Sequence, residues 1–232
     1  MFITGNRTMA PTQPLHRTAM TTASSPARPI VLHRFELSGH CHRVELMLRL
    51  LDLAFVTQDV DLRQGEHKRA GFLALNPFGQ VPVIEDDGIV MGDSNAILVY
   101  LALRYAPPSW LPREPLGAAQ VQRWLSAAAG PLAYGAARSR VAQLFALERD
   151  CTEAIAAAHA LFGVMEHTLQ AHGFLAGETP TIADVAMYSY TAHAPEGNVS
   201  LHAYARLRDW LRRIEALPGF APMPASRIGL AA

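Results

Sequence analysis

The chain has 232 residues, half of them hydrophobic and 17% charged, enough material for one large folded unit or two modest ones. Twenty Lys plus Arg balance twenty Asp plus Glu, which argues against a strongly basic nucleic-acid binder and against a highly acidic solvating protein. No apolar run approaches the roughly 18 residues that a membrane span needs, and the two cysteines, Cys41 and Cys151, cannot build a disulfide framework or a four-cysteine zinc site, which favours a reducing, cytoplasmic setting.

Residues 1–28 are rich in Thr, Ser, Pro and Ala, carry Arg7, Arg17 and Arg28, and contain no acid. They lack the apolar period of a helix or strand and read as a disordered tail. Two accounts of that tail stay open: an organelle-targeting segment, which is also Arg- and Ser-rich and acid-poor, or a start codon set too early, with Met9 and Met20 as later candidates. A secretory signal does not fit, because no uninterrupted apolar core follows a basic start. Without the tail, seventeen basic residues face twenty acidic ones, a net charge of minus three. Nineteen of the twenty basic residues are arginine; Lys68 is the only lysine.

From Pro29 the texture changes. Ile30-Val31-Leu32 is a short buried strand, and after a loop at Glu36 to Gly39 the apolar residues Val44, Met47, Leu48 and Leu51 recur at helical spacing. Phe55 to Val60 reads as a second strand, and strand–helix–strand with a helical crossover implies a parallel βαβ unit. A polar segment (Leu62 to Ala70) and the loop Asn76-Pro77-Phe78-Gly79 lead to a strand over Val81 to Glu85. Asp86-Asp87-Gly88 is a hairpin turn signal, and the chain returns through Ile89-Val90-Met91. A helix follows from about Ser94 to Arg104. The order βαβ, irregular segment, ββα is that of a thioredoxin-like α/β domain, over residues 29–106.

Pro107-Pro108, Pro112 and Pro115 mark a linker over 107–115. Residues 116–232 form an all-helical domain, a bundle with expected helices at Leu116 to Ala129, Leu132 to Leu147, Thr152 to His172, Thr181 to Ala192 and Tyr204 to Leu217. Gly130-Pro131 is expected to kink or break the first long helix. In Thr181-Ile182-Ala183-Asp184 the Thr can cap the helix backbone while Asp184 reaches back to the cap amide, a capping box.

Four segments of the first domain carry chemistry. Ser38 stands where the first strand gives way to the first helix, and a helix N-terminus presents free N–H groups and partial positive charge to an anion. A hydroxyl there can donate to a thiolate. Lowering a thiol from a pKa of about 8.5 by two units needs about 2.7 kcal/mol. One hydrogen bond to a charged group supplies roughly 1.5–3 kcal/mol and the helix terminus about 0.3–1 kcal/mol, so no general base is required. The plainer reading of Ser38 is a helix cap. Ser38-Gly39-His40-Cys41 has the spacing of a redox Cys-x-x-Cys pair with its first cysteine replaced, which excludes a dithiol cycle within it and leaves Cys41 as a core residue or a minor thiol. His40 and His42 diverge around a helix, so a metal site is rejected here.

In Gln80-Val81-Pro82-Val83, a cis bond before Pro82 would leave the Val81 backbone free to pair with an extended peptide. In Gly92-Asp93-Ser94, a carboxylate can meet the Ser94 hydroxyl and N–H while Asp93 takes an ammonium; ordinary capping is the alternative. Gly65-Glu66-His67-Lys68 offers the only compact ammonium, which is read equally as a solvated surface residue.

Together, Gly65 to Lys68, Asn76 to Pro82, Asp93-Ser94, Ser38 five residues before Arg43-Val44, and Thr181 to Val185 resemble the glutathione S-transferase superfamily, in particular its serine-type bacterial and plant-like classes. The likeness spans about 200 residues from Pro29. It implies a glutathione-binding thioredoxin-like domain, a helical domain that shapes the second-substrate pocket, and a homodimer. It further implies that Ser38 ionises the glutathione thiol, that Val81 pairs with the cysteinyl unit ahead of a cis Pro82, that Asp93 and Ser94 take the γ-glutamyl end, and that His67, Lys68 and Gln80 hold the glycyl end. Leu37, His40, Trp124, Tyr134 and Arg138 are the candidates for the second pocket. Asp93 stands where the family commonly has Glu, which leaves room for a longer or water-bridged contact. The leading expectation is glutathione transfer to a small hydrophobic electrophile in cytoplasmic detoxification, with glutathione as co-substrate and no metal, nucleic-acid or membrane partner. Glutathione-dependent reduction of peroxides or disulfides, and a non-catalytic ligand binder of the same fold, remain alternatives.

Overall fold

The computed structural model describes residues 25–232, so the tail expected over 1–28 lies outside the described residues apart from its last four. A four-stranded sheet in the order β2-β1-β3-β4 opens the fold. It is built from β1 (Ile30–Arg34), β2 (Phe55–Asp59), β3 (Val83–Asp86) and β4 (Ile89–Gly92). Ile30 and Leu32 of β1 are fully buried because β1 lies inside the sheet. β2 pairs with it in parallel, Ile30 opposite Phe55, as the intervening helix α1 (Gly39–Leu50) requires of a crossover. β3 runs antiparallel to β1, with Leu32 opposite Ile84. β4 closes the hairpin through Asp87 and Gly88, both at positive φ (48° and 84°), as a tight two-residue turn demands.

β3 starts at Val83, two residues later than the alternation in the sequence suggests. Pro82 has no N–H to give a ladder, and the Val81–Pro82 peptide is cis. A single 3₁₀ turn (Glu66–Lys68) and a short helix α2 (Ala70–Leu75) connect β2 to β3. Helix α3 (Ser94–Tyr105) follows β4.

Beyond the proline-rich segment, the chain is helical. Helix α4 (Pro115–Ala127) begins with Pro115 just behind Glu114, whose carboxylate accepts from the Leu116 and Gly117 N–H groups. A proline there gives up an N–H that has no helical partner in any case. The kink or break expected at Gly130-Pro131 takes the form of a change of helix type: α4 gives way to a π-helical stretch over Ala128–Ala137, which continues as α5 (Arg138–Leu144). The wider hydrogen-bond spacing accommodates Pro131, which cannot donate. Gly135 sits against α6 (Thr152–Thr168) so closely that a Cβ there would come within 2.9 Å of the Ala158 N. Helices α7 (Ile182–Ala192) and α8 (Ala205–Glu215) complete the set, with a 3₁₀ turn at Ala194–Gly197 that the sequence periodicity did not suggest. Among the described residues no helix is long and apolar enough to cross a membrane.

The two halves share one apolar core running from Ile30 and Leu46 to Trp210. Polar contacts tie α1 to α7 at its edge: the His42 ring hydrogen-bonds the Ser189 hydroxyl and the Ala221 carbonyl, each at 2.9 Å. This junction sets the position of the N-terminus of α1, and with it Ser38.

Candidate functional site

Ser38 is the N-cap of α1. Its side-chain oxygen accepts from the Cys41 N–H at 3.3 Å, which uses an acceptor position, and a hydroxyl can accept and donate at once. The cap and the thiolate donor are therefore compatible roles for one hydroxyl. The next residue, Gly39, is pressed against a tyrosine of α7: a Cβ there would lie 2.8 Å from the Tyr190 ring. Burial pushes the Tyr190 phenol up, opposed by Arg43, by Arg140 and by the neighbouring Ser38 hydroxyl. Cys41 is buried, its sulfur accepts from the Phe35 N–H at 3.4 Å, and burial pushes its thiol up to about 11. A thiol so protonated is a poor nucleophile, which favours the core reading of Cys41 over the reactive one.

A cleft of about 430 Å³ lies in front of Ser38. Every glutathione-site candidate from the sequence lines it: His67, Lys68, Gln80, Val81, Pro82, Asp93 and Ser94. The Lys68 ammonium donates to the carbonyls of Phe78 (3.3 Å) and Gly79 (2.9 Å), so two of its three donors fix the loop before β3 and one remains. Asn76 holds the same loop by donating to the Gln80 carbonyl at 2.8 Å. The His67 Nδ1 is buried without a partner.

Asp93 has φ 68° and ψ 117°, outside the regions ordinary residues populate, a conformation that costs roughly 1–3 kcal/mol. Its carboxylate accepts from the Ala96 N–H at 2.8 Å and caps α3. Beneath it, Arg43 of α1 is 1% exposed. One nitrogen, Nη1, donates to the Ser94 hydroxyl (3.2 Å) and to Asn95 Oδ1 (2.8 Å). Its Nε and Nη2 have no partner, and burial lowers the guanidinium to about 10. A buried cation with unsatisfied donors on a cleft wall favours an anion in that cleft. In the sequence Arg43 stands out only by its spacing from Ser38, because an arginine on an amphipathic helix reads as solvated until its packing is known.

The second-substrate candidates divide. His40 lines both this cleft and an adjoining cavity, where it meets Tyr134 and Arg138; its ring packs edge-on against Tyr190, centroids 5.0 Å apart. Trp124 is corrected: it is 3% exposed and its indole N–H donates to the Leu175 carbonyl at 2.8 Å, deep in the helical core. Leu37 is half-buried outside both cavity walls, and its backbone matters instead. The Leu37 carbonyl accepts from Arg140 Nη1 at 2.7 Å. Among the described residues no group of three or more His, Cys, Asp and Glu converges as a metal site would need.

Comparison with known proteins matches two family models, the glutathione S-transferase N-terminal domain over residues 37–104 and the glutathione S-transferase C-terminal domain over residues 129–218. The chain is 31% identical over 208 residues to glutathione S-transferase 3 of Zea mays, covering 83% of this chain and 91% of that protein. It is 30% identical over 194 residues to glutathione S-transferase theta-1 of Rattus norvegicus, covering 79% and 81%. Among solved structures, a glutathione S-transferase from Pseudomonas fluorescens superposes with a TM-score of 0.80 at 32% identity, over 84% of this chain and 99% of that one. A glutathione transferase homologue from Drosophila mojavensis, with bound glutathione, superposes with a TM-score of 0.76 at 26% identity, over 82% and 89%.

Proposed function

The chain belongs to the glutathione S-transferase superfamily, and on that premise we propose that Ser38 stabilises a glutathione thiolate that attacks a hydrophobic electrophile. Glutathione is an extended tripeptide with a carboxylate at each end and a thiol in the middle, and the cleft lining offers a candidate partner for each of these parts. Lys68 and His67 stand at one flank for the glycyl carboxylate, with Gln80 beside them. The Val81 backbone, ahead of β3 and the cis Pro82, pairs with the cysteinyl unit in this reading. Asp93 and Ser94 at the start of α3 take the ammonium and carboxylate of the γ-glutamyl end.

The observation that carries the reading is the position of Ser38, N-cap of α1 and on the wall of the cleft. Its oxygen accepts the α1 amide at 3.3 Å, a hydroxyl that accepts can also donate, and the partial positive charge of the helix end adds to it. The two effects together match the roughly 2.7 kcal/mol needed for a shift of two pH units. No general base is required; the thiol proton goes to solvent before attack. Family membership also supports a homodimer, which light scattering of the purified protein would check.

The test is retention on immobilised glutathione followed by turnover with a chloronitrobenzene, a hydroperoxide and a mixed disulfide. The proposal expects transfer to the chloronitrobenzene to depend on Ser38. Retention without turnover of any of the three would instead indicate a ligand binder. Turnover confined to the hydroperoxide or the disulfide would indicate a peroxidase or reductase.

A further inference from the structure

Beside the cleft, and sharing His40 and Ala133 with it, lies a second cavity of about 370 Å³. Part of its wall is apolar or aromatic, with Tyr134, Val141 and Tyr190, and part is cationic, with Arg138 and Arg149. Such a cationic wall runs against the charge of the chain beyond the tail, where twenty acidic residues outnumber seventeen basic ones. No carboxylate among the described residues lines this cavity. Asp150 and Glu153 line a neighbouring cavity that shares Tyr134 and Arg138, and there the Asp150 carboxylate is engaged by the Thr152 N–H and hydroxyl. His40 adds no charge, because burial, and then Arg43, push its imidazole down to about 3.

We propose that this cavity selects electrophiles bearing a carboxylate on a flat aromatic body, with the reacting carbon at the His40–Ala133 boundary and the carboxylate toward Arg138 and Arg149. The assignment rests on the glutathione-transfer reading above and adds the substrate class to it. Tyr134 leaves 70% of its surface exposed, an uncovered ring face suited to stacking on an aromatic substrate. Guanidinium forks match a carboxylate in geometry and charge. For an aryl chloride the thiolate sulfur forms a bond to the ring carbon, the carbon–chlorine bond breaks with its electron pair, and chloride leaves.

The test compares 4-chloro-3,5-dinitrobenzoate with 1-chloro-2,4-dinitrobenzene on the full-length protein, each kcat/KM divided by the uncatalysed rate with free glutathione at the same pH. The normalised ratio should favour the benzoate by on the order of tenfold at low salt and decline as ionic strength rises. In the Arg138→Gln/Arg149→Gln variant it should fall to near unity. A wild-type ratio near unity, or a preference that survives the double substitution, overturns the assignment while glutathione transfer stands. If neither compound shows Ser38-dependent turnover, the underlying reading fails and the assignment falls with it.

Discussion

Arg140 on α5 donates from Nη1 to the carbonyl oxygen of Leu37 at 2.7 Å, so a helix of the second half grips the backbone one residue before Ser38. The grip is itself held. Arg140 Nε donates to Glu196 at 2.7 Å, and the other Glu196 oxygen meets the His193 ring at 2.6 Å and the Ser226 N–H at 3.1 Å. Arg140 and Glu196 are both buried, which makes the pair rigid rather than screened.

Arg140→Lys keeps a cation for Glu196 but cannot also reach Leu37 with a planar fork. The expected result is a folded enzyme whose kcat falls by about tenfold while its KM for glutathione changes little, since misplacing a reacting group by a fraction of an ångström is costly. Steady-state kinetics at saturating glutathione would show it. Equal loss in KM and none in kcat would mean that Arg140 serves the binding surface rather than the Ser38 loop.

On the proposed reading, Lys68 and Arg43 would serve opposite ends of the tripeptide. Lys68→Ala removes a charge-assisted hydrogen bond worth about 1.5–3 kcal/mol, so glutathione affinity by calorimetry should drop by roughly tenfold or more. Unchanged affinity would remove the glycyl-end assignment. Arg43→Gln should also weaken glutathione, and because Arg43 donates to Ser94, the loss should be smaller for an analogue lacking the γ-glutamyl carboxylate.

Asp184 should matter for stability rather than chemistry. Its buried carboxylate accepts from the N–H groups of Leu175 and Thr181, from the Thr181 hydroxyl and from the Trp210 indole. Asp184→Ala strands those donors, at about 1–3 kcal/mol for each one left unsatisfied. Thr181→Ala, which removes one cap, should cost about 1 kcal/mol. Denaturant midpoints would rank the two, and a milder effect for Asp184→Ala would contradict this account of the α7 start.

The parts of this molecule that are local were legible in its sequence. Asp87-Gly88 requires positive φ, Thr181 and Asp184 sit three apart, and Ile30-Val31-Leu32 is apolar enough only for an inner strand. The cleft residues from Lys68 to Ser94 were singled out by the family resemblance more than by local signals, and the structure brings them to one cleft. What stayed hidden depends on partners far along the chain. Arg140 reads as a solvated helix residue until Glu196, fifty-six positions away, and Leu37 are brought to it. Tyr190 reads as core until Gly39 is pressed onto its ring. Trp124 reads as a pocket wall or as core, and only packing against Leu175 decides for core. Pro131 reads as a helix breaker, and the close approach of α6 at Gly135 shows why a widened helix serves there.

The central claim is that the Ser38 hydroxyl, with the end of α1, ionises the bound thiol without a general base, and the pH dependence of kcat/KM for the electrophile at saturating glutathione tests it most directly. Because burial keeps His40 neutral down to about 3, it should contribute no ionisation near neutrality. The thiolate is the reactive form, so the rate should rise with pH through a single ionisation at about 6–7, some two units below a free thiol. Ser38→Ala should move that ionisation up toward about 8.5 and lower kcat/KM by on the order of a hundredfold at pH 6.5. An Ala variant that binds glutathione normally and titrates at the wild-type position would contradict the account.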